Sequence, residues 1–579
     1  MKTSTLKSPA NRKQPQAVTP SNASSQTWWW YALGLLAVVL FGFTLYMPAL
    51  DGPFVLDDLY LPFMNPTLTQ QPLRIWMNVR PFLMLTFYAN YQLNGTEPYY
   101  YHWFNIFFHC LNAVLAWAIV KKLLSIVGEK RGFLSVFAGL VFLAHPVQTE
   151  SVSYVASRSE VLSIFFFLAA YAVFLYRKTE AISWGSSIAV LVLFGIAANT
   201  KEHAVTLPLL LLLTDYYFHP GFAFEGIKRN WRVYLAVLIA AGFGVVTILT
   251  VLKYSPSAGF ALRDLKWYEY LLTQFRSIWV YLRLYVLPVG QNLDYDFHIS
   301  RTPFDDGAIF YGIGLLAVAV AAWIYRKRFP LASFGYFGFL LLLAPTSSVL
   351  PIRDVLVEHR LYLPFICLLL ITVDFLRRWE APRNTQIAVL AVIVLALSGA
   401  TYARNLVWAD SLTLWRDAAE KSPHKVRPRF QVAFALYAGG HCPDAASEYA
   451  KAAQIEAPDY QLLLDWALAL DCANNQQQAL ERLTQASKLE DTAHLRSLMG
   501  MEYAKMGKPQ EALQELGKAE TLDPRFWMTY VYRGNVMLAL GDPARAIAEY
   551  DRALSVDPSA QAARDAKAVA LQRQAQQKR

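Results

Sequence analysis

The chain has 579 residues, 55% of them hydrophobic, with a mean hydropathy of +0.26 and a formal net charge of +10. That length excludes a single ordinary domain, and that hydropathy places much of the chain among membrane proteins. The charge is uneven. From Asp410 onward 21 Lys/Arg balance 22 Asp/Glu, whereas upstream 32 Lys/Arg face 21 Asp/Glu, so the excess lies in the apolar part. A basic membrane portion follows from the positive-inside rule. It does not signal nucleic-acid binding, because the Lys/Arg residues occupy short loops rather than one exposed face.

Residues 1–27 are rich in Ser, Pro, Gln and Asn, with Lys2, Lys7, Arg12 and Lys13, and have the composition of a disordered cytoplasmic tail. The apolar run 28–50 has no small-residue cleavage site and reads as a retained anchor. Further runs at about 101–120, 132–146, 160–176, 182–199, 203–217, 232–253, 308–325, 329–350, 362–376 and 385–402 bring the candidate spans to about eleven. Basic clusters orient them. The tail, Lys121-Lys122, Lys130-Arg131, Arg177-Lys178, Lys228-Arg229, Arg326-Lys327-Arg328 and Arg377-Arg378 all belong on the cytoplasmic side. The stretch 267–287 carries Glu269, Gln274, Arg276 and Arg283, and if it crossed, every later basic cluster would change sides. It is therefore placed as an amphipathic helix at the outer face, or as re-entrant. The N-terminus is then cytoplasmic and the C-terminal part extracytoplasmic.

With this topology the outer loops collect the costly polar groups. They are Asp57-Asp58 and the loop to Arg80, His145 and Glu150 through Arg158, Lys201-Glu202-His203, Asp294 with Asp296, and 353–360 with Glu358, His359 and Arg360. Ionisable groups at span ends are expensive unless paired, solvated or used. Taken singly, each reads equally as a helix cap or a snorkelling side chain. Five sets on one side point to a single outward-facing polar cavity.

The C-terminal part repeats every 34 residues: Gly500, Gly507, Ala512, Ala519 and Pro524 recur as Gly534, Gly541, Ala546, Ala553 and Pro558. This is tetratricopeptide spacing, with small residues where paired helices touch and proline after the second helix. Ala433, Gly440, Ala445, Tyr449, Ala452 and Pro458 fit one earlier copy, and Ala467, Ala479, Leu483 and Ala486 a weaker one. Four repeats thus cover 425–560, after a connecting helix within 406–424 and before a capping helix and tail at 561–579. Such arrays form curved solenoids whose concave side binds peptides. Four cysteines define no disulfide framework. Cys442 and Cys472 fall near the turn edges of adjacent repeats; pairing is open to them in an oxidising compartment, and unpaired buried cysteine is the commoner state.

Several strings together resemble a known family: Phe54-Val-Leu-Asp-Asp58, Arg80-Pro-Phe, Tyr101-His-Trp-Phe-Asn105, His145-Pro-Val-Gln-Thr-Glu-Ser-Val152 followed by Arg158, Lys201-Glu202, and Glu358-His-Arg-Leu-Tyr-Leu-Pro364. With the repeats behind them, the chain after residue 28 is similar to the transmembrane and tetratricopeptide-repeat protein O-mannosyltransferases, especially their bacterial relatives. The resemblance implies an all-α fold, a polytopic GT-C-type helical domain over 28–405 followed by the solenoid. It also implies a membrane glycosyltransferase that takes sugar, mannose in eukaryotic members, from a polyprenyl phosphate to Ser/Thr hydroxyls of proteins. Eleven spans agree with the architecture of related protein O-mannosyltransferases. The chain departs from the eukaryotic pattern at His359, where those members usually carry arginine after glutamate.

In this reading Asp57 and Asp58 are the catalytic carboxylates, with Asp57 the expected base for the acceptor proton. Arg158, Lys201, His359 and Arg360 are candidates for holding the leaving phosphate, while His145, Glu150 and Glu358 orient them or meet the sugar. No cofactor is assigned. A divalent ion near Asp57, Asp58 and Glu150 is an open option because carboxylates are hard ligands. The expected partners are the membrane, the lipid-linked donor and an acceptor protein on the repeats, with no nucleic acid. Two alternatives stand beside this: transfer to a lipid or envelope glycan, and a noncatalytic scaffold that recruits envelope proteins. The expected location is a bacterial cytoplasmic membrane with the repeats outside.

Overall fold

The computed structural model describes residues 24–77, 80–252 and 258–577, so most of the expected disordered tail lies outside the described residues. Among these residues the regular structure is helical, apart from one isolated bridge between Ala258 and Ile352. Every apolar run read from the sequence falls on a helix, but the helices differ in reach. Trp29–Ala49, Pro98–Ile126, Val155–Leu175, Asp305–Ile324 and Arg383–Trp408 are long and apolar enough to cross a bilayer. Gly132–Ala144 and Pro146–Ser153, bent by 48°, make a sixth if they cross as one.

The helices Trp184–Ala198, Leu207–Phe218, Pro330–Leu343 and Phe365–Leu376 have 15, 12, 14 and 12 residues. At 1.5 Å per residue they reach roughly 18–23 Å, short of a hydrocarbon core of about 30 Å. The expected eleven spans are therefore matched by eleven helices but by only five or six full-length ones among the described residues. The physical reason is local. The ends of several runs are taken over by 3-10 turns such as Glu202–Thr206 and Glu358–Leu361, which carry the polar groups.

The segment 267–287 forms the helix Trp267–Val286, buried along Tyr270, Thr273, Gln274, Ser277, Ile278, Tyr281 and Leu284. Its polar side chains are used by neighbouring loops: Gln274 donates to the Val355 carbonyl and Arg276 to the His298 carbonyl. The Arg383–Trp408 helix fixes the two ends of the bundle. Near its start Gln386 meets Arg131, which also reaches the Arg377 carbonyl, so the basic loops gather there. At its other end Trp408 enters the core of the repeat array.

The array is built as the period predicts. Paired helices run Val426–Ala438 with Cys442–Ile455, Tyr460–Cys472 with Gln476–Ala486, Ala493–Lys505 with Pro509–Leu522, and Trp527–Ala539 with Pro543–Val556. The helix Ser411–Lys421 leads in and Gln561–Gln577 packs on the last pair. Asp459, Asn475, Thr492 and Asp542 cap helix starts with their side chains, satisfying peptide N–H groups that lack helical partners. Gly534 shows why small residues recur: a Cβ there would lie 2.5 Å from the Tyr550 ring. Against the expectation of unpaired thiols, Cys442 and Cys472 are bonded. Consecutive repeats bring their Cα atoms to 5.6 Å, within disulfide range, although 30 residues separate them.

Array and membrane domain share a core. Ala49, Val55, Tyr154 and Leu293 from the loops pack in one cluster with Trp408, Leu414, Trp415 and Ala418.

Candidate active site

The Asp57 loop is a short 3-10 turn, Leu56–Tyr60, entered through a tight approach. Gly52 lies so near the Trp408 carbonyl that a Cβ would come within 2.7 Å of it, and the Gly52 carbonyl meets His102 Nε2 at 3.1 Å. Leu56 then takes φ = +50°, a left-handed conformation that side chains other than glycine rarely hold without outside constraint. The result separates the two aspartates. Asp58 turns inward with 1% of its surface exposed and accepts N–H bonds from Val55 at 3.0 Å and Ala156 at 2.6 Å. Burial pushes its carboxyl up to about 7, against the lowering pull of those peptide donors. Asp57 turns outward. Its backbone N–H donates to the Tyr154 hydroxyl at 2.9 Å, and among the described residues none hydrogen-bonds its exposed carboxylate.

In the other loops the polar groups pair with one another. Glu150 Oε1 lies 2.5 Å from His359 Nδ1, and Glu150 Oε2 accepts the Glu358 N–H at 2.9 Å. Lys201 donates to Glu160 at 2.5 Å, with His203 Nδ1 3.3 Å from the other oxygen of that carboxylate. Arg80, itself at φ = +55°, forks onto Glu202 with bonds of 2.7 and 2.8 Å. Bidentate pairing of this kind fixes both direction and position. Lys201, His359 and Arg80 are each held by a carboxylate and retain partial exposure: 16% for the Lys201 side chain, 22% for His359 and 35% for Arg80.

The remaining candidates are placed differently. Arg158 is fully buried, donates to Asn90, Asn105 and the Tyr101 carbonyl, and lies over the rings of Phe87 and Phe104. None of its side chain is exposed, and its Nη1 is buried without a hydrogen-bond partner among the described residues. His145 is buried, with Nε2 3.0 Å from the Tyr285 carbonyl and its ring stacked on that tyrosine. Arg360 donates to the Tyr270 hydroxyl and the Asp354 carbonyl, tying down the chain that leads to Glu358. Glu358 accepts from Gln291 at 2.6 Å, the Asn292 N–H at 2.8 Å and the Tyr295 hydroxyl at 2.7 Å, and burial raises its carboxyl.

Among the described residues no three His, Cys, Asp or Glu side chains gather as a metal-ligating set. Asp57, Asp58 and Glu150 do not form one, because Asp58 faces peptide N–H groups and Glu150 faces His359. Sequence reasoning missed Glu160 and Tyr154, and placed His203 only as a member of the Lys201-Glu202-His203 loop set. Glu160 was legible as a lone carboxylate within the apolar run 160–176, a placement that is costly unless the group is paired; Tyr154 carried no such signal.

Fold and site together define a multi-helix membrane protein whose loop-borne carboxylates and cations abut a tetratricopeptide array. The curated proteins to which the chain is similar are protein O-mannosyl-transferases. A Caenorhabditis elegans member is 24% identical over 460 residues, covering 74% of this chain and 63% of that protein. Protein O-mannosyl-transferase TMTC3 of Homo sapiens is 23% identical over 555 residues, covering 83% and 57%. TMTC1 of Homo sapiens is 24% identical over 484 residues, covering 71% and 54%. The chain thus spans somewhat over half the length of these relatives. No protein-family model matches. Among solved structures, YrrB, a TPR protein with an unusual peptide-binding site, is 20% identical, covering 32% of this chain and 92% of that one at a TM-score of 0.24. Yeast Tom70 is 15% identical, covering 72% and 89% at a TM-score of 0.25.

Proposed function

We propose that the chain is an inverting membrane glycosyltransferase of GT-C type. It moves mannose from a polyprenyl-phosphate donor to Ser/Thr hydroxyls of proteins at the outer face of a bacterial cytoplasmic membrane. One observation carries the reading: an exposed Asp57 carboxylate, hydrogen-bonded by no described residue, sits on a loop pinned by Asp58 and within electrostatic reach of Arg80, while Lys201 and His359 in other loops are each held by a carboxylate. In this scheme Asp57 takes the hydroxyl proton as the acceptor oxygen attacks the anomeric carbon. The bond from that carbon to the phosphate oxygen breaks, and the cations stabilise the departing polyprenyl phosphate.

Two further features support it. A groove of about 500 Å³, lined by Leu282, Tyr285, Leu368, Ile371, Phe375 and Trp379, opens beside the His145–Tyr285 stack and suits a prenyl chain. The Cys442–Cys472 bond fits an oxidising compartment for the array. Family resemblance supplies the sugar and the acceptor class. The test is incubation of the purified protein in lipid with polyprenyl-phosphate mannose and Ser/Thr-rich polypeptides, read by mass spectrometry. A gain of one hexose on the polypeptide is expected; donor left intact under all conditions refutes the reading.

A further inference from the structure

The segment 291–296 has two faces. Toward the membrane domain, Gln291, the Asn292 N–H and Tyr295 hold the buried Glu358 carboxylate, and the Glu358 N–H in turn holds Glu150, the partner of His359. Toward the array, the same segment is gripped by the turn between the lead-in helix Ser411–Lys421 and the first array helix Val426–Ala438. Ser422, fully buried, donates its hydroxyl to the Asp294 carbonyl at 2.5 Å and accepts from Asn292 at 2.8 Å and from the Asp296 N–H at 3.0 Å. Asp294 is clamped by Lys425 and by Arg427, the latter at 2.6 Å, and Lys421 donates to the Gln291 carbonyl at 2.8 Å. An unbroken chain of hydrogen bonds therefore joins the array to the Glu150–His359 pair.

The other arm of the site rests on the array too. Val55 and Tyr154, which hold Asp58 and Asp57 respectively, share a core with Trp415 and Ala418. A tethered acceptor-binding module needs neither arrangement. Buried polar segments are rigid only when every member is satisfied, so removing a partner at one end loosens the other.

We infer that the array completes the site: the 422–427 turn is a positioning element that sets the Glu150–His359 pair through the 291–296 segment. Its rate readout rests on the glycosyl-transfer reading, whereas its exchange readout does not. The experiment uses the full chain in lipid with Ser422→Ala and, separately, Asp294→Asn. Hydrogen–deuterium exchange should rise about tenfold or more at 149–153 and 357–361, with 442–556 unchanged. Hydrolysis of polyprenyl-phosphate mannose without acceptor should fall together with transfer, by about tenfold in kcat, with the acceptor KM held within about twofold. Faster exchange confined to 291–296 and 421–427, or a change in acceptor KM alone, overturns the inference. If the unaltered protein turns over no donor, the glycosyl-transfer reading fails while the exchange pattern still decides this one.

Discussion

Exchanging each carboxylate of the Asp57-Asp58 pair for its amide should give opposite signatures. Asp57 is exposed and its carboxylate is hydrogen-bonded by no described residue, so Asp57→Asn changes stability by no more than about 0.5 kcal/mol. Loss of a general base costs about 10²- to 10⁴-fold in rate, or about 2.7–5.4 kcal/mol at 1.36 kcal/mol per decade. Asp58 accepts two buried peptide N–H bonds, at 3.0 and 2.6 Å. An amide has one acceptor oxygen and turns its NH2 toward the second donor. Asp58→Asn therefore leaves one peptide N–H unmet, costing about 1–3 kcal/mol of local stability. The assay is initial-rate mannosyl transfer in proteoliposomes, with limited proteolysis of the 54–61 loop run in parallel. Asp57→Asn should be inactive with a parental proteolysis pattern, and Asp58→Asn should be cut faster and retain a reduced rate. A fully active Asp57→Asn, or an inactive Asp58→Asn with the parental pattern, would refute the assignment of the base.

Asp58 also predicts a pH dependence. Its carboxyl stands at about 7 in the fold against 3.8 unperturbed, so between those values the folded state holds the extra proton. Its contribution is present below about pH 4, declines as pH rises toward 7 and is flat above; thermal unfolding at pH 5 and 8 should show a slope that Asp58→Asn lacks, and equal slopes would count against the burial argument. In the array, Gly534→Ala drives a methyl into the Tyr550 ring and should cost about 1–3 kcal/mol of repeat stability, measurable by hydrogen exchange over 527–556. Unchanged exchange there would mean that the helix pair is looser than its packing implies.

The paired helices of the C-terminal part were legible from the 34-residue period, because small residues recur where such helices touch. The helices of the membrane domain were legible from hydropathy, but their lengths were not: whether a run ends at its last apolar residue or in a 3-10 turn depends on tertiary partners such as Arg80 for Glu202. The same limit applied to the site. Sequence placed Asp57, Lys201, Glu150 and His359 in loops; the structure pairs Glu150 with His359 and Lys201 with Glu160, and ties the Asp57 loop to Tyr154 and Ala156. It could not tell Asp57 from Asp58, since their difference is set by Ala156, about a hundred residues away. Nor could it separate Arg158, fully buried among asparagines and rings, from Lys201, His359 and Arg80, whose side chains keep partial exposure. Charge is visible in a string of letters; burial of that charge is a property of what packs over it.

The Cys442–Cys472 bond has a mechanical consequence. A solenoid bends at its joints, each repeat moving against its neighbour through a modest interface. The bond ties the second helix of the first repeat to the first helix of the second, so the joint between those repeats cannot hinge open. With Ser422 and Arg427 anchoring the base, everything from the membrane loops to about residue 486 forms one stiff bracket. Bending between repeats should therefore fall first at the joint before Ala493, which is held by noncovalent contacts such as Tyr460 with Thr492 and Lys505 with Asp471.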